Sequence, residues 1–221
     1  MNAVLYIHGK GGSASESEHY KPKMAITEDR LRQTFSEGGT QEIYQEVKST
    51  GDFLGFARQY AFSQEPMEQR EQSDACIVSA DSRQRKTEGQ YRVARSALWG
   101  LTKASKEELS QLQVIMSEFI NQAMQTDNSS VRRLSLNIIE RLEMSEDDLR
   151  TDFLDFCFEH MMDVEEFPGI QSVCMKLAFR ICKFYPELMD ELKRTLEAME
   201  IDYYKPAVKC VRNRILNGKL K

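Results

Sequence analysis

Proline, glycine and tryptophan are scarce in this chain of 221 residues, and each shortage narrows the choice of fold. Five prolines and eleven glycines supply few turn residues, which favours helices over a many-stranded β fold. No apolar run approaches the ~20 residues that a membrane-spanning helix needs. The sequence therefore predicts a helical protein with no membrane partner, in which 41% hydrophobic residues build the core.

Cysteine motifs are missing as well. The five cysteines form no C-x-x-C pair, which argues against the common zinc and redox sites. Three of them lie inside apolar helical stretches, where a reduced thiol behaves as a small hydrophobe. The first residues lack the basic flank and the cleavage site of a signal peptide. We therefore expect a cytoplasmic protein.

Basic residues are few in the body of the chain. Residues 93–204 carry 12 basic and 21 acidic side chains, whereas residues 205–221 carry six basic side chains and no acidic one. Nucleic-acid binders usually have a basic stripe through the body, because phosphate contacts supply most of their affinity. The charge distribution thus disfavours a nucleic-acid partner.

A repeat of about 40 residues is the most informative pattern. Residues 97–109 align without gaps on 137–149, a shift of 40 that places Leu98 on Ile138. Further shifts of 39 and 38 superpose the apolar positions of later segments. Ser105 and Ser145 precede acidic residues as helix caps would, and Pro186 suits a first helical turn. These signals predict five helices, at residues 106–125, 129–142, 146–163, 168–183 and 186–200.

This pattern resembles the HEAT-like repeats, in which helix pairs stack into a solenoid. The apolar residues that carry the resemblance are Val131, Leu134, Ile138, Ile139 and Leu142. It implies an all-α fold, an α-solenoid of HEAT-like helix pairs with a short non-helical N-terminal extension. A helical bundle without repeat symmetry is the alternative fold. The resemblance also implies a scaffolding or protein-binding role without catalytic residues.

Four segments are expected. Residues 1–23 form an appended fragment, residues 24–66 form N-terminal helices, residues 67–92 form a disordered polar insertion loop, and residues 93–221 form the HEAT-like repeats. The insertion has five basic and five acidic residues and one short apolar patch. A binding loop and a short helix are its alternative readings. A long loop inside a compact domain is uncommon and is usually functional or disordered.

The N-terminal fragment differs from the remainder in character. The short β-type run at residues 4–7 leads into His8-Gly9-Lys10-Gly11-Gly12, which resembles the first strand and HGxGG loop of small α/β-hydrolase esterases. In that family, backbone N–H groups after the strand stabilise an oxyanion. No G-x-S-x-G elbow follows anywhere in the chain, and one strand cannot build a parallel sheet. We therefore interpret it as a fragment and not as a folded catalytic domain.

Acidic residues on the second helix of each pair form the candidate binding site. Asp152, Asp155 and Glu159 have i, i+3, i+7 spacing, with Glu118 one repeat earlier and Glu191 one repeat later. Second helices usually line the concave side of such solenoids. The pattern therefore predicts an acidic concave groove for a basic peptide or protein. A solvated helix face without a ligand is the simpler alternative.

Three functions are compatible with these patterns. The first is a non-enzymatic interaction module that binds a protein or peptide and needs no cofactor or metal. The second is an esterase, suggested by residues 4–22. The third is a HEAT-like DNA-alkylation-repair glycosylase, a family that grips duplex DNA in a basic groove. The acidic body of this chain departs from that last pattern.

Overall fold

Helices make up the secondary structure of the residues that the computed structural model describes, which are 26–62, 80–148 and 150–220, with the backbone alone for 80–90. Among these residues there is no strand, and no helix has the length and apolar character needed to cross a lipid bilayer. The α-helices are α1 (Glu28–Arg32), α2 (Glu37–Thr50), α3 (Phe53–Phe56), α4 (Ala80–Leu101), α5 (Lys106–Leu109), α6 (Met116–Gln125), α7 (Ser129–Arg141), α8 (Thr151–Met162), α9 (Pro168–Cys182), α10 (Pro186–Ala198) and α11 (Pro206–Leu216).

The N-terminal helices cover one side of α4. Thr27 caps α1 through its side chain, and Ser36 caps α2 in the same way. Ser96 on α4 donates a hydrogen bond to the Thr34 carbonyl, and a Cβ on Gly100 would lie 3.2 Å from the Ile43 side chain. Glycine at this position therefore allows α2 to pack closely on α4.

The prediction of an insertion loop at residues 67–92 is wrong for residues 80–92. Helix α4 begins at Ala80, so residues 80–92 are helical and continue directly into the first repeat. The physical reason is that these residues contain neither proline nor a cluster of turn residues, and Gly89 alone weakens a helix by only about 1 kcal/mol. Residues 67–79 lie outside the described part of the chain, as does the fragment 1–23.

The repeat predicted from the sequence is confirmed by the helices and their buried faces. Leu98 and Ile138 are both fully buried, and Leu177 and Ile215, at the corresponding positions of α9 and α11, are at most 2% exposed. Helix α7 packs against α4, α6 and α9, and α9 packs against α7, α8, α10 and α11. The hydrophobic core is consequently continuous from α2 to α11.

The predicted single helix 106–125 is divided in two. A 3₁₀ segment, Ser110–Ile115, separates α5 from α6. In this segment the Gln113 side chain donates to the Glu143 carbonyl at 2.9 Å and accepts from the Glu143 N–H at 3.1 Å. The tighter turn thus lets one side chain satisfy both backbone groups of a residue after α7.

One of the two predicted serine caps is confirmed. Ser105 forms a capping box with Glu108, in which each side chain bonds the backbone of the other residue. Ser145 differs, because its N–H and its hydroxyl both donate to Asp148 at 2.8 and 2.7 Å. A short 3₁₀ turn, Glu146–Asp148, therefore precedes α8, which starts only at Thr151.

Arginine side chains join consecutive repeats. Arg141 on α7 donates to the Thr102 and Ala104 carbonyls after α4. Thirty-nine residues later, Arg180 on α9 donates to the carbonyls of Ile139, Glu140 and Leu142 at the end of α7. The last carbonyls of a helix have no partner within that helix, and here the next repeat supplies the donors.

Candidate binding surfaces

The acidic side chains predicted on α8 share one exposed face of that helix. Asp152, Asp155 and Glu159 are exposed, whereas Phe153 and Cys157 on the opposite face are at most 1% exposed. Asp155 and Glu159 form no side-chain hydrogen bond or ion pair within the described part of the chain. Their charges are therefore available to a ligand.

Asp152 is already engaged by a neighbouring arginine. Arg150 donates to the Asp152 carboxylate from Nε at 3.1 Å and from Nη2 at 2.6 Å, and this pairing lowers the pKa of Asp152. The Nη1 group of Arg150 also donates to Asn121 on α6 at 2.6 Å. Arg150 thus links α8 to α6 and neutralises much of the charge of Asp152, which sequence spacing did not reveal.

Glu118 and Glu191, the remaining predicted site residues, are exposed on α6 and α10. Glu118 lies one turn before Asn121, so it is on the side of α6 that Arg150 reaches. Glu191 lies close enough to Cys182 to raise the pKa of that thiol, although burial is the larger cause. The structure thus links α6 and α8 at Asn121, while Glu191 lies in the middle of α10.

Charge is segregated between two sets of helices. Helices α7, α9 and α11, which we call the basic layer, have one acidic residue, Glu140, and eight basic ones: Arg132, Arg133, Arg141, Lys176, Arg180, Lys209, Arg212 and Arg214. Helices α6, α8 and α10, which we call the acidic layer, have two basic residues and eight acidic ones: Glu118, Asp152, Asp155, Glu159, Glu187, Asp190, Glu191 and Glu197.

The helices of the basic layer are also more closely stacked. Helix α4 packs on α7, α7 on α9 and α9 on α11, whereas α6 and α8 meet over only a small area. The contacts between consecutive repeats therefore run mainly through the basic layer.

A buried ionic cluster fixes the α8–α9 connection. The Glu166 side chain is only 8% exposed and accepts from His160 Nδ1 at 2.6 Å, with Arg132 Nη1 at 3.6 Å. The His160 ring also lies against the Phe156 ring, with centroids 4.1 Å apart. Because these groups satisfy one another between α7 and α8, the cluster holds the repeat together.

The chemistry of metal binding or nucleophilic catalysis is not supported by the described residues. No three His, Cys, Asp or Glu side chains among them are grouped to hold a metal ion. Burial raises the pKa of Cys157 well above its usual value and that of Cys182 to about 11, so these thiols are poor nucleophiles. A recess beside Phe184 encloses about 190 Å³ with open solvent included, which is less than a typical ligand pocket.

Stacked helix pairs at a spacing of about 40 residues define this part of the chain as an α-solenoid. The family model for the HEAT repeat domain matches residues 83–219, so the chain belongs to the HEAT repeat domain family. No match was found among the curated proteins or among the solved structures. The family match does not support the esterase resemblance, whose residues lie outside the described part.

Proposed function

We propose that the chain is a non-enzymatic interaction module and that the acidic layer binds a basic peptide or protein segment. HEAT repeats are helical scaffolds that bind partners along extended surfaces. The observation that carries the proposal is the free acidic face of α8. Asp155 and Glu159 stand one turn apart in exposed positions and have no cationic partner among the described residues.

Neighbouring groups extend this face. Glu118 on α6 is exposed near the junction with α8, and Asn121 beside it offers a polar side chain. Asp152 contributes less, since Arg150 already satisfies it. A basic segment lying along α8 would therefore pair first with Asp155 and Glu159 and would reach Glu118 across the helix junction.

The test uses a fluorescein-labelled lysine-rich dodecapeptide and fluorescence anisotropy. The Asp155→Lys/Glu159→Lys variant should bind it at least tenfold more weakly than the wild type at about 50 mM salt, because attraction becomes repulsion. The matched control is Glu146→Lys/Asp147→Lys, which changes the net charge equally on an exposed turn before α8. The proposal fails if both variants lose affinity equally or if the wild type does not bind.

A pair of single substitutions tests the role given to Arg150. Asp155→Asn should weaken peptide binding more than Asp152→Asn, because Asp152 is paired within the protein and Asp155 is not. Equal losses would mean that only the total charge matters and not the described geometry. Far-ultraviolet circular dichroism of each variant shows whether helicity is preserved, as expected for exposed positions.

A further inference from the structure

Each helix of the basic layer has one row of residues, spaced four apart, along one side, which we call its strip. The strips of successive helices resemble one another. On α7 the strip contains Arg133 and Arg141, and the 39-residue shift brings Lys176 and Arg180 into line on α9. A further shift of 38 residues places Arg214 on α11 in the row of Lys176. We call these five side chains the basic face. They occur at multiples of four residues within each helix, so they share one side of each helix.

The charges of the basic face are largely uncompensated. Glu140 is the one acidic residue on these three helices, and its Oε1 is 2.8 Å from Lys176 Nζ. Arg141 and Arg180 donate their hydrogen bonds to backbone carbonyls, and Arg180 also lies close enough to the carboxylates of Glu140 and Glu143 to interact with their charges. Arg133 and Arg214 are exposed and form no ion pair within the described residues. Arg133, Arg141 and Arg214 therefore lack an anionic partner within the described residues.

The N-terminal helices limit the face on one side. Val93, Ala97 and Leu101 occupy the corresponding strip of α4, and all three are at most 2% exposed beneath α1 and α2. The basic face therefore begins at α7 and extends to α11. With neighbouring helix axes about 8–10 Å apart, it is about 20 Å wide.

The polar character of this surface favours one class of ligand. Asn137 and Ser172 lie between the cations on the strips of α7 and α9, and no large apolar side chain is exposed on these strips. Protein interfaces depend on buried aromatic and apolar anchors, whereas a phosphate backbone needs cations and hydrogen-bond donors. Single-stranded nucleic acid usually requires aromatic stacking platforms, which this surface lacks. These features favour the backbone of a duplex.

We propose that the basic face binds the phosphate backbone of double-stranded nucleic acid without reading its sequence. About 20 Å of duplex carries about twelve phosphate charges on its two strands, more than enough for the five cations. The surface is separate from the acidic layer, so this inference goes beyond the proposed function.

The test measures anisotropy of a fluorescein-labelled 20-base-pair DNA duplex between about 25 and 200 mM salt. With three unpaired cations on phosphates, the slope of log affinity against log salt should be about −3, since each contact contributes about −0.9. Arg133→Gln/Arg214→Gln should weaken binding at least tenfold at about 50 mM salt and reduce the slope to about −1. Neither side chain bonds a helix end, so folding should be unaffected.

The matched control is Lys193→Gln/Arg194→Gln on α10, which removes two exposed cations from the acidic layer. It should bind duplex like the wild type, as should Asp155→Lys/Glu159→Lys, so failure here is distinguishable from failure of the proposed function. The inference would be overturned if Arg133→Gln/Arg214→Gln and Lys193→Gln/Arg194→Gln lost equal affinity for duplex, or if the wild type did not bind duplex at about 25 mM salt.

Other ligands of the same charge are outcomes of the experiment. Tighter binding of a 20-nucleotide single strand, or of a glutamate-rich dodecapeptide, would reject the duplex in favour of that ligand. A further possible ligand is the acidic layer of a second copy of the chain, which sedimentation velocity of the protein alone at low salt would detect as self-association. Self-association that Arg133→Gln/Arg214→Gln abolishes would assign the basic face to the acidic layer of a second copy.

Discussion

Replacing Arg180 with methionine tests whether arginines hold consecutive repeats together. Methionine keeps most of the apolar stem but removes donors to the carbonyls of Ile139, Glu140 and Leu142, the last at 2.6 Å. Hydrogen bonds from charged groups contribute about 1.5–3 kcal/mol each, and partial solvent access to the helix end reduces the sum. We expect a loss of about 2 kcal/mol in the free energy of unfolding.

Urea denaturation followed by circular dichroism at 222 nm measures this loss. With a denaturant slope of about 2 kcal/mol/M, the midpoint should fall by about 1 M. The urea midpoint of Arg180→Lys should lie between those of Arg180→Met and the wild type, since an ammonium group cannot bond several carbonyls in the geometry of a guanidinium. Arg214→Met is the control, because Arg214 is exposed and should cost less than about 0.5 kcal/mol. Equal midpoints for Arg180→Met and Arg214→Met would refute the reasoning.

Two further predictions concern local structure and pH. Gly51 ends α2 at φ +67°, where an alanine is strained, so Gly51→Ala should destabilise the protein by about 1–2 kcal/mol. Gly38 lies inside α2, where alanine favours the helix, so Gly38→Ala should stabilise the protein by up to about 1 kcal/mol. Thermal melts in which this order is reversed would contradict the prediction. Although burial acts the other way, hydrogen bonds from the Ser105 N–H and nearby side chains hold the pKa of Glu108 below 4.5. Its stabilising effect is therefore present above that pH and lost on acidification, so the stability gap between wild type and Glu108→Gln should narrow from pH 6 to pH 3 in urea titrations; a constant gap would refute it.

Local signals in the sequence were sufficient for most of the helical architecture. The positions of Leu98 and Ile138 in the repeat predicted two buried residues, and Ser105 predicted a helix cap, to which the structure adds the reciprocal bond from Glu108. These features depend on residues within one or two helical turns of each other, or on a period that recurs along the chain. Helix identity and the buried side of each helix could therefore be predicted before any packing was known.

The division of charge between two sets of helices could be identified only from the tertiary structure. Averaged over residues 93–204 the chain is acidic, and this average concealed a basic layer and an acidic layer that alternate along the sequence. The predicted face at Asp155 and Glu159 is exposed as expected, whereas the pairing of Asp152 with Arg150 and Asn121 joins two helices and could not be read from spacing.

Sequence alone thus determined the periodic features, because helical period and capping are local properties of the chain. Tertiary packing decided which helices stack closely and which carbonyls Arg180 reaches. It also buried the α4 strip beneath α1 and α2, so that the basic face starts only at α7. These outcomes depend on residues about 40 or more positions apart, whose side chains meet only when the repeats are stacked.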